Sequence, residues 1–238
     1  MAAGGGILNL GLSGLQAAQR ALDVTSHNIA NVNTPGYSQQ RVLLATRPPQ
    51  WSGQGFLGTG VDLVDVRRSY DQFLTQEVRI GTSAASEVGA QLEFAAQLDN
   101  LFGDRDSGLS RRLQDFFNAI QDAADDPSSL PPRQVMIEQA GLLADRFQTL
   151  DARLGELRQG LQNRVRDTVE EINLSARSIA RLNQEIVESG ATRNDPNDLL
   201  DQRDELLRQL AEKISVTPVR QDDGAVNVFI GSGQTLVM

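Results

Sequence analysis

The side chains of this chain that could do chemistry are few. Ser26 and His27, the latter the single histidine among 238 residues, offer a hydroxyl next to an imidazole. Adjacent side chains on a helix diverge by about 100°, so this imidazole cannot take a proton directly from its neighbour. "DLLDQRDELLRQL" gathers Asp198, Asp201, Asp204 and Glu205 around Arg203 and Arg208. Clustered carboxylates could share acid and base roles in a hydrolase, whereas on an amphipathic helix the same pattern is a solvated face with i,i+4 support. "GQGFLG" (53–58) has the glycine spacing of a phosphate-binding loop. Its setting does not fit. Pro48-Pro49 precedes it and the β-type "VDLVDV" follows, which is no Rossmann turn, and a kinase-type loop needs a following-strand lysine, whereas Lys213 is the one lysine. Asp104 and Asp106 in "DRDSG" lack the third ligand position and the distal Glu of a calcium loop. No residue is assigned a catalytic, cofactor-binding or metal-ligating role, and no cofactor is expected.

Composition narrows the partners. Without cysteine there are no disulfides and no thiolate sites. The formal charge of −9 is uneven: residues 1–80 hold six arginines and five acids, residues 81–238 sixteen basic and twenty-six acidic residues. Phosphate binding needs a basic face, so nucleic acid is not an expected partner. Nor is a membrane, because no apolar run approaches the ~20 residues of a span. The N-terminus has neither a basic n-region nor a continuous apolar h-region, so a cleaved signal peptide is not expected.

If chemistry is scarce, the pattern of elements carries the information. Leu8, Leu15, Leu22 and Ile29 recur seven apart, with Leu12, Ala18 and Thr25 between them. That spacing predicts a helix with one apolar seam, which needs a partner stripe. Thr25 to Gln40 reads "TSHNIANVNTPGYSQQ", where Asn28, Asn31 and Asn33 precede Pro35-Gly36 and Tyr37. Here the helix is expected to unwind, with asparagines satisfying freed backbone groups and Pro-Gly turning the chain outward. Two β-leaning runs, Arg41–Thr46 and Val61–Val66, flank a Pro/Gly-rich loop and predict a hairpin. Helical periodicity returns over 70–102 and from Leu109 to Ile120, until "DDPSSLPPR" breaks it. The longest run, Met136 to Ile186, steps by 3 and 4; a single helix over 134–189 would be about 85 Å long, which implies a rod. A further helix is predicted with Asp195 as N-cap and Pro196 at its first position. Beyond Ile214, β-type residues punctuated by "DDG" and "GSG" read as successive hairpin strands, the last cut short, as in a fragment of a longer protein.

Residues 13–40, "SGLQAAQRALDVTSHNIANVNTPGYSQQ", resemble the N-terminal signature of bacterial flagellar axial proteins, the rod, hook and hook-associated subunits. "VRRSYDQFLTQEVR" (66–79), "LQDFFNAIQDAADDPSS" (113–129) and "PNDLLDQRDELLRQL" (196–210) resemble the FlgK family, hook-associated protein 1, within that group. Gln39 stands where many relatives have arginine, and the start "AAGGG" is unusually glycine-rich. The resemblance implies a non-enzymatic subunit at the junction of hook and filament, secreted unfolded through the flagellar type III export apparatus with an export chaperone. It implies self-assembly into a ring or tubular layer, contact with hook protein and a neighbouring hook-associated protein, and an extracellular location on the flagellum.

The expected fold is mainly α, an elongated coiled-coil or bundle rod with a short β-hairpin joint and the start of a β domain. Its parts are residues 1–35, a tube-forming helix; 36–69, the extended joint; 70–214, a long helical bundle; and 215–238, the first strands of the β domain. Subunit contacts are expected at Leu8, Leu12, Leu15, Leu22 and Ile29, and at the joint through Asn28, Asn31, Asn33, Pro35, Gly36 and Tyr37. Two readings stand beside the leading one: another rod- or hook-type axial subunit, and a cytoplasmic coiled-coil module that binds partners through its acidic helices.

Overall fold

The computed structural model describes residues 3–51, 53–102, 108–190, 196–231 and 233–238. Asp104, Asp106 and Asp195, which the sequence singled out, lie outside the described residues. The fold is mainly helical. The elements run α1 (Ala3–Ala30), β1 (Gln40–Thr46), β2 (Gln50–Trp51), β3 (Phe56–Leu57), β4 (Val61–Arg68), α2 (Gln72–Phe102), α3 (Leu109–Asp125), α4 (Leu130–Gly190), α5 (Asn197–Ala211), β5 (Val216–Arg220), β6 (Val226–Ile230) and β7 (Gln234–Val237). The long periodic run is one helix of 61 residues, entered through Pro131 and Pro132 in its first turn, where a proline has no intrahelical bond to lose. Pro196 stands at the N-cap of α5, one position before its expected place, and its carbonyl accepts the first helical bond from Leu200 N–H at 3.0 Å.

The chain divides into two compact units, residues 1–83 with 172–238, and residues 84–171. The helices of 70–214 are shared between them.

In the first unit the core lies where α4, α5 and the β5-β6-β7 sheet meet. Ala176, Ile179, Leu207, Leu210, Val226, Val228 and Val237 form it, and Ile172, Leu206, Ile214 and Val216 pack around them. Antiparallel β6 alternates, so Val226 and Val228 are buried while Asn227 between them is only half-buried. The same unit holds β1 paired antiparallel with β4, from Gln40 opposite Arg68 to Thr46 opposite Val61, with a bulge between Leu43 and Leu44. Helix α1 lies on this hairpin through Ser13, Ala17 and Val24, all buried. Gly60 lets the two approach: at φ 116° it brings its Cα so near that a Cβ would land on Ser13 Oγ. Ser13 Oγ also accepts from Val61 N–H at 3.3 Å.

Among the described residues the elements of the second unit are all helices: the distal part of α2, α3 and the first two thirds of α4. Leu101, Ala119 and Leu150 are buried there, and Arg164 donates to Glu93 at 2.9 Å between α4 and α2. The 3-4 rhythm of α4 meets two fates. Ile179 is buried in the core with α5 and the sheet, and Leu182 and Ile186 are buried on the same stretch, whereas Phe147 and Val165, in the same phase, are exposed because no described layer covers them.

Candidate functional site

Between the end of α1 at Ala30 and the start of β1 at Gln40, the chain is held largely by side-chain amides. Asn31 closes the helix end twice over, its backbone N–H and its Nδ2 both donating to the His27 carbonyl at 3.1 Å. Thr34, Pro35, Gly36 and Tyr37 then form a turn closed by Tyr37 N–H to the Thr34 carbonyl at 3.2 Å, with proline second and Gly36 third at φ 78°. This is the residue order of a type II turn, which needs positive φ at its third position.

Asn28 links the end of α1 to the hairpin. Its Nδ2 donates to the Gln40 carbonyl and its Oδ1 accepts from Gln40 N–H, both at 2.8 Å, so one carboxamide pairs a whole backbone residue as a neighbouring strand would. The same Oδ1 accepts from Tyr37 Oη–H at 2.7 Å. With that proton donated, His27 Nδ1, 3.1 Å from the phenol oxygen, acts as its donor.

Helix α5 receives the joint. Gln40 Nε2 donates to Asp198 Oδ1 and Ser38 N–H to Asp201 Oδ2, both at 2.8 Å, and Asn197 Nδ2 donates to the Val66 carbonyl. Arg68, at the end of β4, places Nη1 2.7 Å from Asp201 Oδ1 and 2.7 Å from Asp204 Oδ2; the second contact is an ion pair without hydrogen-bond alignment. Arg68 also lies over the Tyr70 ring, 4.2 Å from its centroid. Glu205 accepts two bonds from Arg208, at 2.8 and 2.7 Å, and these hold its carboxyl below the ordinary range against the opposing effect of burial.

The acidic helix is thus not the solvated face expected. Asp201 is 5% exposed and Arg203 1%. Arg203 donates from Nη1 to Asn183 Oδ1 at 3.0 Å and to the Gly224 carbonyl at 2.8 Å, and burial lowers its pKa to about 10. Asn183 repeats the device of Asn28: it pairs both backbone groups of Val226, at 2.8 and 3.1 Å. Sequence reasoning missed Gln40, Arg68, Asn183 and Arg203. For Arg203 a signal existed, since it precedes Leu207 and Leu210 at core spacing.

His27, Tyr37, Asp198 and Asp201 line a cavity of about 450 Å³. An acid, an imidazole and a phenol together invite a chemical reading, but Tyr37 is poorly suited to act as a base or nucleophile. Burial first, then Asp198 and Asp201, raise its pKa, which opposes the phenolate. His27 Nε2 stands 3.7 Å from Asp198 Oδ2, beyond hydrogen-bond reach. The geometry is that of a fastening.

The expected contact residues separate into two groups. Asn28, Asn31 and Tyr37 are half-buried in the bonds above, and Asn33, Pro35 and Gly36 are exposed at the turn. Leu8, Leu12, Leu15, Leu22 and Ile29 are all exposed, at 75, 52, 67, 68 and 69%. At 100° per residue their seam points about 170° away from the face carrying Ser13, Ala17 and Val24. Among the described residues no group of three or more acids and histidines could hold a metal, and no helix is long and apolar enough to cross a membrane.

Residues 95–238 match the family described as the flagellar hook-associated protein FlgK helical domain, and residues 8–37 that described as the flagella basal body rod protein. Flagellar hook-associated protein 1 of Salmonella typhimurium is 36% identical over 236 residues, covering 97% of this chain and 42% of that protein. The Bacillus subtilis protein of that name is 29% identical over 210 residues, covering 85% of this chain and 41% of that one. This chain therefore spans about two fifths of the length of these relatives. Among solved structures, the flagellar hook junction protein FlgK from Burkholderia pseudomallei superposes with a TM-score of 0.63 at 28% identity, over 68% of this chain and 29% of that one. The domain match covers more than half of the residues, and the chain belongs to the family of the flagellar hook-associated protein FlgK.

Proposed function

We propose that this chain is the N-terminal part of a structural subunit that joins the hook of the bacterial flagellum to its filament, and that it assembles through α1. The observation that carries the reading is the two-faced helix: one face is spent on the hairpin, and the other presents Leu8, Leu15, Leu22 and Ile29 to solvent in one row. An apolar row of this length is costly to expose and is satisfied by packing against further helices. Family membership supplies the setting. The joint then fixes the direction in which the assembly helix leaves the body, so its role is geometric and non-enzymatic.

On this reading the partners are other copies of the subunit in a ring or tubular layer, hook protein on one side and a neighbouring hook-associated protein on the other. The chain reaches this extracellular position through the flagellar type III export apparatus, escorted by a chaperone. Replacing Leu15 and Leu22 by Asp tests the division of labour. The far-ultraviolet spectrum and melting of the body should be retained while cells build hooks without attached filaments. Loss of body stability, or normal filaments, would count against it.

A further inference from the structure

The ribbon β2–β3, between the paired strands β1 and β4, carries an aromatic pair that plays no part in the joint. Trp51, the single tryptophan of the chain, stands directly opposite Phe56, so both rings lie on one face of the ribbon, edge to face with centroids 5.1 Å apart. They are 65 and 71% exposed, and Leu57 beside them 62%. Single apolar side chains at a surface are ordinary, but a preformed aromatic pair has the composition of an interface anchor. The stretch is also without charge. No Asp, Glu, Lys or Arg occurs from Pro48 to Val61, although 22% of the chain is charged, and the flanking Arg47 and Asp62 are paired with each other at 2.7 Å.

A matching surface lies on α1. Leu8, Gly11, Leu12 and Leu15 stand at i, i+3, i+4 and i+7, the four positions that frame the hole into which a knob packs. The three leucines are exposed, and a Cβ on Gly11 would meet nothing within 4 Å, which leaves room at the floor of the hole for a side chain larger than leucine. No charged side chain precedes Arg20. Two uncharged surfaces lose little solvation on meeting, whereas the acidic remainder of the chain would have to desolvate charge against the rings. A copy cannot seat its own tip in its own hole. Its hairpin occupies the face of Ser13, Ala17 and Val24, about 170° around the helix from the leucine row.

We infer that the Trp51–Phe56 tip of one copy of this chain packs into the hole between Leu8 and Leu15 of the next. This deepens the assembly reading above and rests on it. The two surfaces differ and lie on opposite sides of α1, so the contact is head-to-tail and repeats in one direction, as a ring or tube requires. Leu22 and Ile29, further along the row, stay available to helices.

Trp51 fluorescence reports this contact alone, because the chain has no other tryptophan. Two variants of the full chain are mixed: a tip donor, Leu12→Asp/Leu15→Asp, and a silent receiver with an intact row, Trp51→Ser/Phe56→Ser. Adding receiver to donor should move the emission to shorter wavelength and saturate with a Kd of about 1 mM or tighter. Gly11→Leu in the receiver fills the hole while raising helix propensity, so it should weaken binding about tenfold or more at an unchanged or raised melting temperature. The proposal is overturned by no shift, by the same shift with a receiver that also carries Leu12→Asp/Leu15→Asp, or by a titration that Gly11→Leu leaves unaltered. A lowered melting temperature of Trp51→Ser/Phe56→Ser would make the pair part of the fold and overturn it too. If no shift occurs although Leu15→Asp/Leu22→Asp leaves cells with hooks and no filaments, the tip contact falls and the assembly reading stands; normal filaments in those cells would remove both.

Discussion

Gly36 and Glu205 are in contact: a Cβ on Gly36 would stand 2.8 Å from the Glu205 Cβ and 3.2 Å from its Oε2. The turn that ends the first helix is therefore seated on α5, whose inner face forms part of the core.

Gly36→Ala meets both a positive φ and this contact, and should destabilise the first unit by about 1–3 kcal/mol. Gly36→Val should cost more, since its branched side chain cannot be relieved by a change of rotamer. The substitution should therefore act on the body itself. Calorimetry of the two variants would check the order, and Gly53→Ala, in open space at φ 87°, isolates the conformational part of the cost.

Asn28→Asp keeps the shape of the side chain and loses its donor, setting a carboxylate oxygen against the Gln40 carbonyl. A loss of about 1–3 kcal/mol is expected in urea unfolding. Tyr37→Phe removes both hydrogen bonds of the phenol, to Asn28 Oδ1 and from His27 Nδ1, and should cost about 1–3 kcal/mol. Asn33→Ala, at an exposed position, should stay within about 0.5 kcal/mol.

Arg68→Met would leave Asp201 and Asp204 facing each other without their cation, in a site where the arginine side chain is 7% exposed. Breaking a buried pair in this way costs about 3–5 kcal/mol. Adding Asp201→Asn to Arg68→Met should recover part of that loss, and a double-mutant cycle would measure the coupling.

Glu205 predicts an acid response. Its folded-state pKa lies below 4.5 because Arg208 donates to the ionised carboxyl. As pH falls from 4.5 the unfolded chain takes up the proton first, so the stabilisation present above that pH is lost as the pH passes through the lower folded value. Glu205→Gln should flatten the pH dependence of the melting temperature below 4.5 and leave it unchanged near neutrality.

Local physics made much of the fold legible. The seven-residue spacing of Leu8, Leu15, Leu22 and Ile29 determined a helix with an apolar seam, and the 3-4 steps from Met136 to Ile186 determined one long helix, because side-chain period follows backbone period. The runs Arg41–Thr46 and Val61–Val66 lie within the paired strands β1 and β4. Pro35-Gly36 announced its turn, since a proline followed by a residue free to take positive φ leaves few conformations.

The tertiary structure alone decided which of these surfaces are covered and what the polar groups are for. Asp201 reads as a solvated acid on a helix, yet it accepts from Ser38, 163 residues away, and pairs with Arg68, 133 residues away. No local period encodes such partners. Asn28 could have capped its own helix and instead pairs Gln40, because the hairpin brings that backbone within reach. Phe147 and Ile179 share one rhythm on α4, and only the placement of α5 and the sheet determines that Ile179 is buried while Phe147 is exposed. Sequence specifies periodicity and turn chemistry through neighbours along the chain; burial and charge pairing depend on neighbours in space.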